Sequence, residues 1–489
     1  MTSRPVTQIL LPVRNIFGVL ACISALTACT VGPDYLRPDS GLQEAVLLPR
    51  PEYSGSSPIS HTEVPALWWS LFNDPLLMEF ESRALLSNLD LQIATNRIEQ
   101  SRAQLGITGA DLLPSISASA SYAREAISQH GYFAALGAPT TPNNFWQIGF
   151  DATWELDLWG RARRANEGAA ATLEATTYER EAFRVTLAAE IARCYLQIRG
   201  TQAQLDIANQ NRTIAERTLD LVESRQRNGI ATRFETSSAR AQLATINAAI
   251  SEQTQRRNAL MNALALLLGE KPRALDAQLR QAMPIPSLPS EVPVGIPSEL
   301  ARRRPDILRA EAQLHAATAS IGVAKADFYP RIGLRGRIGA EAFESGDLSS
   351  WDSRLFSVGP TVYLPIFQGG RLTQRLALTE ARQKAAALAF RQTVLLAWHE
   401  VDNALDAWAA QQREHEELLL AYEQNKQALQ VAERAYQEGA GDYLGVLTTQ
   451  RNLLSSQTNL NTSATNATLT LVNLYKALGG GWNVTGETK

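Results

Sequence analysis

The sequence predicts a mainly α protein with a small β part, built as two similar half-repeats. Three observations predict it: a self-match at an offset of about 210 residues, two proline-free stretches of 67 residues, and a 13-residue segment that alternates apolar and polar residues.

The repeat is anchored in order along the chain. Ala110-Asp111-Leu112-Leu113-Pro114 matches Ala326-Asp327-Phe328-Tyr329-Pro330 at an offset of 216, and Gly160-Arg161 matches Gly370-Arg371 at 210. Arg227-Asn228-Gly229 then matches Gln437-Glu438-Gly439, and Leu268-Gly269 matches Leu478-Gly479, both at 210. The difference of six residues falls between Pro114 and Gly160, where loops are free to vary.

Each half reads as short helix, strand hairpin, long helix, tight turn and medium helix. The short helices, Leu89 to Asp111 and Pro305 to Asp327, each stop three residues before a proline, which cannot continue a helix. The long stretches are Arg161 to Arg227 and Arg371 to Gln437. A helix of that length rises about 100 Å, a rod rather than a helix of a compact domain. In the second rod Val394, Trp398, Val401, Leu405 and Trp408 alternate steps of four and three. That is the seam of a coiled-coil pair or a bundle core, and it resumes at Leu419, Tyr422, Leu429 and Tyr436. The medium helices, Phe234 to Leu267 and Tyr443 to Ala477, follow glycine-bearing turns and run back along the rods. Between the halves, five prolines in residues 284–297 read as an extended linker, and Pro33 to about Pro65 is similarly irregular or partly extended.

The alternating segment is Phe145 to Asp157. Trp146, Ile148, Phe150, Ala152, Trp154 and Leu156 fall on one face of a strand, with Gln147, Gly149, Asp151, Thr153, Glu155 and Asp157 on the other. An apolar face with tryptophan towards both ends fits a membrane barrel strand, lipid outside and water inside. A soluble sandwich shows the same alternation. In the second half Ile332, Leu334, Ile338 and Ala340 alternate with Arg331, Gly333, Arg335, Arg337 and Gly339, and Phe356, Val358, Val362 and Leu364 follow a hairpin. Ser115 to Glu125 carries Ile116, Ala118, Ala120 and Tyr122 on its apolar face.

The N-terminus decides between membrane and soluble. Arg4 and Arg14 precede an apolar run from Ile16 to Leu26, ended by Leu26-Thr27-Ala28-Cys29, the pattern of a secretory signal. The run is shorter than the roughly 20 residues a bilayer core requires of a spanning helix. No later stretch is apolar enough to span as a helix, so any crossing is made of strands. Four strands cannot close a barrel, and open edges in hydrocarbon cost several kcal/mol per unpaired backbone group, so copies must associate. Two copies give a barrel of eight strands, about filled by its own side chains; three give twelve and leave room for a channel.

Composition excludes other classes. With 46 basic against 49 acidic residues the net charge is −3, and no basic excess points to nucleic acid. Of three cysteines, only Cys194 lies in the folded body, which rules out an internal disulfide there. It continues a stripe of Leu187, Ile191, Ile198 and Leu205 and reads as a small buried hydrophobe rather than a reactive thiol. His399-Glu400 and His415-Glu416 begin like a zinc protease motif, but Asn403 and Leu419 stand where the second histidine belongs. There is no Walker loop, Cys-x-x-Cys or Gly-x-Ser-x-Gly, so neither a cofactor site nor a catalytic one is expected.

These residues resemble the TolC-like outer-membrane factor family, in particular its lipoprotein branch of NodT-type efflux proteins. The resemblance covers essentially the whole chain. It rests on the duplicated plan, on Cys29-Thr30-Val31-Gly32-Pro33-Asp34-Tyr35, on Leu158-Trp159-Gly160-Arg161, and on Arg302-Arg303-Arg304-Pro305-Asp306. It implies a homotrimer with a twelve-stranded outer-membrane barrel and a periplasmic α-barrel. The implied partners are a periplasmic adaptor and an inner-membrane pump, commonly of the resistance-nodulation-division type. The expected function is the passive exit duct of a tripartite efflux system for small molecules. A type I protein secretion duct, or a structural coiled-coil lipoprotein, are the alternatives. The division then reads 1–28 signal peptide, 29–88 equatorial and anchor segment, 89–283 first half-repeat, 284–304 equatorial linker, 305–478 second half-repeat and 479–489 tail.

The resemblance also assigns residues. Cys29 carries the lipid. The turns Asn228-Gly229-Ile230-Ala231-Thr232 and Gly439-Ala440-Gly441 meet the adaptor. Asp442, Tyr443, Leu444 and Thr448 occupy the region where the resting tunnel narrows, Leu444 as an apolar ring and Asp442 as a local negative field. Thr448 stands where relatives often carry an acid. The lipid-facing strand residues are Trp146, Ile148, Phe150, Trp154 and Leu156.

Overall fold

The computed structural model describes residues 30–38, 59–60, 62–295 and 303–482. The signal peptide, Cys29, Arg302 and the C-terminal tail beyond 482 lie outside the described residues. In chain order the main elements are β1 (Ile59–Ser60), α1 (Pro75–Ser87), α2 (Leu89–Ala110), β2 (Ser115–Glu125), β3 (Asn143–Glu155), α3 (Arg161–Arg227) and α4 (Arg233–Leu267). There follow β4 (Val292–Pro293), α5 (Pro305–Ala326), β5 (Arg331–Ala342), β6 (Arg354–Tyr363), α6 (Arg371–Gln437) and α7 (Tyr443–Ala477). The two rods, α3 and α6, are 67 residues each, with the bounds expected from the sequence.

Smaller differences have physical causes. The short helices α2 and α5 end one residue early. Helix α4 begins at Arg233 because Thr232 caps it, accepting from the Glu235 N–H at 3.3 Å while the Glu235 carboxylate receives the Thr232 N–H at 2.6 Å. Strand β3 ends at Glu155, so Leu156 falls outside it. The cause is Asp157, whose carboxylate accepts the N–H groups of Ala162 and Arg163, both at 2.9 Å, and turns the chain into α3. Helix α1 is the element that sequence reasoning missed. Its signal was present: Asp74 accepts from the N–H groups of Leu76 and Leu77, and Pro75 takes the first helical position.

The chain divides into two compact units, and each rod contributes residues to both. The first comprises Ile98–Ala175, Ala310–Phe390 and, of the N-terminus, residues 30–38. It holds one antiparallel sheet in the order β2-β3-β5-β6, in which the two hairpins of the repeat meet at β3 and β5. It also holds the N-terminal strap. The Val31 N–H donates to the Trp159 carbonyl at 3.1 Å, Tyr35 stacks on His315 at 4.3 Å, and Arg37 pairs with Glu311 at 2.9 Å. Gly32 lies so close to Gly322 that a Cβ there would sit 2.5 Å from the Gly322 Cα, and its φ of +107° suits glycine alone.

The second unit comprises the described parts of Asp39–Arg97, Thr176–Arg309 and Arg391–Lys489. Its core gathers Trp68, Phe72, Leu77 and Phe80 from around α1, the Cys194 stripe of α3, and Val401, Leu405 and Trp408 of α6. Burial pushes the Cys194 thiol upward, as befits a packed hydrophobe. The rod seam is buried as far as Trp408, but Leu419 is exposed. Helix α7 packs on α3 along a polar seam instead. Gln204 donates to Thr458 at 3.0 Å, Asn211 to Gln457 at 3.1 Å, and Asn461 to the Gly200 carbonyl at 3.0 Å. Gly200 leaves room for Thr465, whose Oγ1 would lie 2.3 Å from a Cβ. In the linker, Val292–Pro293 pairs in parallel with Ile59–Ser60. In the Arg-Pro-Asp motif the buried Arg304 guanidinium binds Asp306 at 2.7 Å, Glu400 at 2.6 Å and the Ala477 carbonyl at 2.9 Å. It thereby ties the start of α5 to a rod and to the end of α7.

Candidate functional site

Strand register decides what the sheet can do. Paired residues share a face, so the cross-strand rows can be read directly. One face carries Tyr122–Trp146–Ala342, Ala118–Phe150–Ile338–Phe356, Ile116–Ala152–Gly336–Val358 and Trp154–Leu334–Pro360. Phe150, Ile338, Phe356 and Val358 are all exposed on it. The opposite face carries Ser115–Thr153–Arg335–Gly359, Ser117–Asp151–Arg337–Ser357 and Ser121–Gln147–Glu341. A row one residue out of step would mix the faces; the exceptions on β6 are at its first two residues, Arg354 in the row of Ile148 and Ala340 and Leu355 in the row of Gly149 and Gly339.

The apolar face also has the dimensions of a bilayer. Trp146 and Trp154 are eight residues apart, about 26 Å along the strand. Tilted as barrel strands are, that projects to about 20 Å, inside an apolar band about 25 Å tall. Trp146 packs against Tyr122 with ring centroids 4.4 Å apart and the planes tilted by 39°, and the Trp154 indole donates to the Leu112 carbonyl at 3.0 Å. Both rings thus keep a polar or aromatic partner at the band's margins. The strands β2 and β6 are paired on one side only, so the sheet has two open edges. Among the described residues no helix is long and apolar enough to cross a membrane.

The two rod tips repeat one another bond for bond. The N–H groups of Gly229, Ile230 and Ala231 donate to the carbonyls of Gln226, Arg225 and Arg225; those of Gly439, Ala440 and Gly441 donate to Tyr436, Ala435 and Ala435. Gly229 and Gly439 share a φ of +75°, the left-handed cap that glycine adopts without strain. Ile230 is 67 % exposed, an apolar side chain presented at a helical tip. Asn228, Thr232, Ala440 and Gly441 are also exposed, while Ala231 is half-buried.

The start of α7 separates the expected gate residues. Leu444 is 53 % exposed and shares a helix face with exposed Thr448, whose hydroxyl donates to the Leu444 carbonyl at 2.8 Å. Asp442 is the N-cap of α7, accepting from the Gly445 N–H at 2.8 Å. Tyr443 is 6 % exposed within a single chain, packed with Val222 and Leu447. Burial pushes its phenol upward, and its hydroxyl has no hydrogen-bond partner. Beside it lies a contact that sequence reasoning missed. Arg225 donates to the Tyr436 hydroxyl and stacks on that ring at 4.8 Å, joining the first rod to the second near their tips.

A sheet with one lipid-like and one polar face, joined to two hairpins of rod-like helices, defines an outer-membrane channel protein. The family model described as outer membrane efflux protein matches residues 81–270 and 296–480, and the chain belongs to that family. It is 33 % identical to the outer membrane protein OprJ of Pseudomonas aeruginosa over 474 residues, covering 96 % of each chain. It is also 33 % identical to the pyoverdine export outer membrane protein OpmQ of Pseudomonas aeruginosa, covering 85 % of this chain and 87 % of that one. The solved outer-membrane channel OprN superposes with a TM-score of 0.86 at 32 % identity, covering 93 % of this chain and all of that one. The protein is therefore an outer-membrane channel component of an efflux system.

Proposed function

We propose that three copies close one twelve-stranded barrel and form the passive exit duct of a tripartite efflux system for small molecules. The observation that carries this is the pair of open edges on a two-faced sheet. Strand directions alternate across β2-β3-β5-β6, so β6 of one copy meets β2 of the next antiparallel, and the ring closes without a mismatch. Twelve strands leave an aqueous interior that eight do not.

In this reading the tips at Gly229–Thr232 and Gly439–Gly441 receive a periplasmic adaptor, and an inner-membrane pump, of the resistance-nodulation-division type, supplies the substrate. Leu444 narrows the resting tunnel with Thr448 one turn along, with Tyr443 beside it and Asp442 holding the helix start. Cys29 carries the lipid anchor. Its neighbour Thr30 lies against Gly160, at the junction of sheet and helix where a membrane surface would be, which supports an anchor at that level.

The test is to purify the protein in detergent, weigh the assembly by native mass spectrometry and record it in planar lipid bilayers. A trimer giving discrete conductance steps is expected. A monomer that leaves the bilayer silent would refute the duct.

A further inference from the structure

On the polar face of the sheet and at its helix-proximal end, nearly every charge has an opposite partner. Arg337 lies 3.8 Å from Asp151, and Glu155 takes two hydrogen bonds from Arg161 at 3.0 and 3.1 Å. Asp157 pairs with Arg163 at 3.2 Å, and Asp327 receives Arg331 at 2.7 Å and Arg375 at 3.2 Å. Glu341, towards the other end of β5, is held by the Gln147 amide at 3.1 Å.

Arg335 is the cation of this face left without a partner, and the carboxylates there that lack a cation, Glu125 and Glu341, lie towards the opposite end of the strands. It is exposed and has no ion pair or hydrogen bond among the described residues. Its row neighbours are Thr153 and Gly359, neither of them acidic. The diagonal positions that could hold a counter-ion on β3 are Asp151 and Glu155, already committed to Arg337 and Arg161; on β6 they are Ser357 and Thr361. Along its own strand the same face offers only Gly333 and another cation, Arg337. In the same row the Ser115 and Thr153 hydroxyls are hydrogen-bonded to each other at 2.8 Å, which leaves one further hydroxyl able to donate.

We propose that Arg335 is an anion-interaction site on the wall of the duct. The inference rests on the closed barrel proposed above, in which three copies place three uncompensated guanidinium groups on one ring near the helix-proximal end. A like-charged ring in a confined, low-dielectric wall concentrates counter-ions, and the guanidinium fork matches carboxylate, phosphate or sulfonate groups on a passing solute. Solutes bearing such a group are drawn past this level; neutral ones are indifferent to it.

The experiment is the reversal potential of the full-length protein in planar bilayers under a potassium chloride gradient. Arg335→Gln is expected to lower the chloride-to-potassium permeability ratio by about fourfold, because one unit charge about 8 Å from an ion through water shifts chloride about twofold one way and potassium about twofold the other. Arg335→Lys, which keeps the charge, retains the ratio. Thr153→Asp puts a carboxylate directly across from the intact arginine and is expected to give the same drop, so it carries the test if Arg335→Gln does not assemble. An unchanged ratio in the conducting variants overturns the site. A wild-type protein that does not conduct overturns the barrel beneath it, a separate result read before any variant is made.

Discussion

Glu81 on α1 is buried to 1 % exposure, and neither carboxylate oxygen has a hydrogen-bond partner. Burial alone pushes its pKa well above the ordinary carboxylate value, so the folded protein keeps this proton to a higher pH than the unfolded chain does. The unfolded chain releases that proton near the usual 4.5, and between the two values the folded state binds more protons than the unfolded one. Stability is therefore whole below the unfolded value and falls by about 1.4 kcal/mol per pH unit until the folded value is reached. Glu81→Gln keeps the shape and removes the titration. It is expected to melt like the wild type near pH 4 and above it at pH 8, followed by circular dichroism in detergent; parallel melting curves at both pH values would show that Glu81 is ionised or solvated. Leu444 is the other residue whose surroundings dictate a result. It is half-exposed beside a fully packed Tyr443, so Leu444→Ala removes bulk from a surface and leaves the core intact. Single-channel conductance should rise in the variant, and an unaltered conductance takes Leu444 out of the gate.

At the scale of elements, the sheet makes the firmest commitment. Phe150 occupies the middle of an apolar row between Ala118 and Ile338, about midway between Trp146 and Trp154. Phe150→Arg is expected to cost about 2–4 kcal/mol of insertion free energy, as arginine does at a bilayer midplane, while Ser117→Arg on the other face costs far less. Urea titration of the protein refolded into vesicles compares them, and equal penalties would mean that both faces meet water. The strands and rods were legible in the sequence because periodicity is a property of the residues themselves: alternation fixed β3, and the absence of proline fixed α3 and α6. Helix α1 was not, because its Asp74-Pro75 start is brief and its apolar residues, Leu77, Phe80 and Ala84, bury against distant parts of the chain. The α3–α7 seam was hidden for a related reason. Its Asn, Gln and Thr side chains look like solvated positions until a second helix supplies their partners at 3.0–3.1 Å. The packing of Tyr443 was hidden similarly, since its place beside a turn says nothing of Val222 closing over it.

For the whole molecule, two parts of the duplicated plan do different work. The tips are alike in hydrogen bonding yet differ in chemistry, Ile230 and Ala231 in the first against Ala440 and Gly441 in the second. A partner that docks by apolar contact would favour the first. A photo-cross-linker at Ala231 is expected to capture a periplasmic adaptor in intact cells and one at Ala440 to capture it less, and an absence of adaptor from both sites would remove the tips as docking surfaces. In the sheet, β2 and β6 leave each chain unfinished. Every seam between chains takes one strand from each neighbour, so a single chain with a spoiled β2 breaks the ring for its two sound companions as well. A cell that expresses one normal and one such defective allele would lose intact pores out of proportion to the defective share, and the lesion would be inherited as a dominant trait.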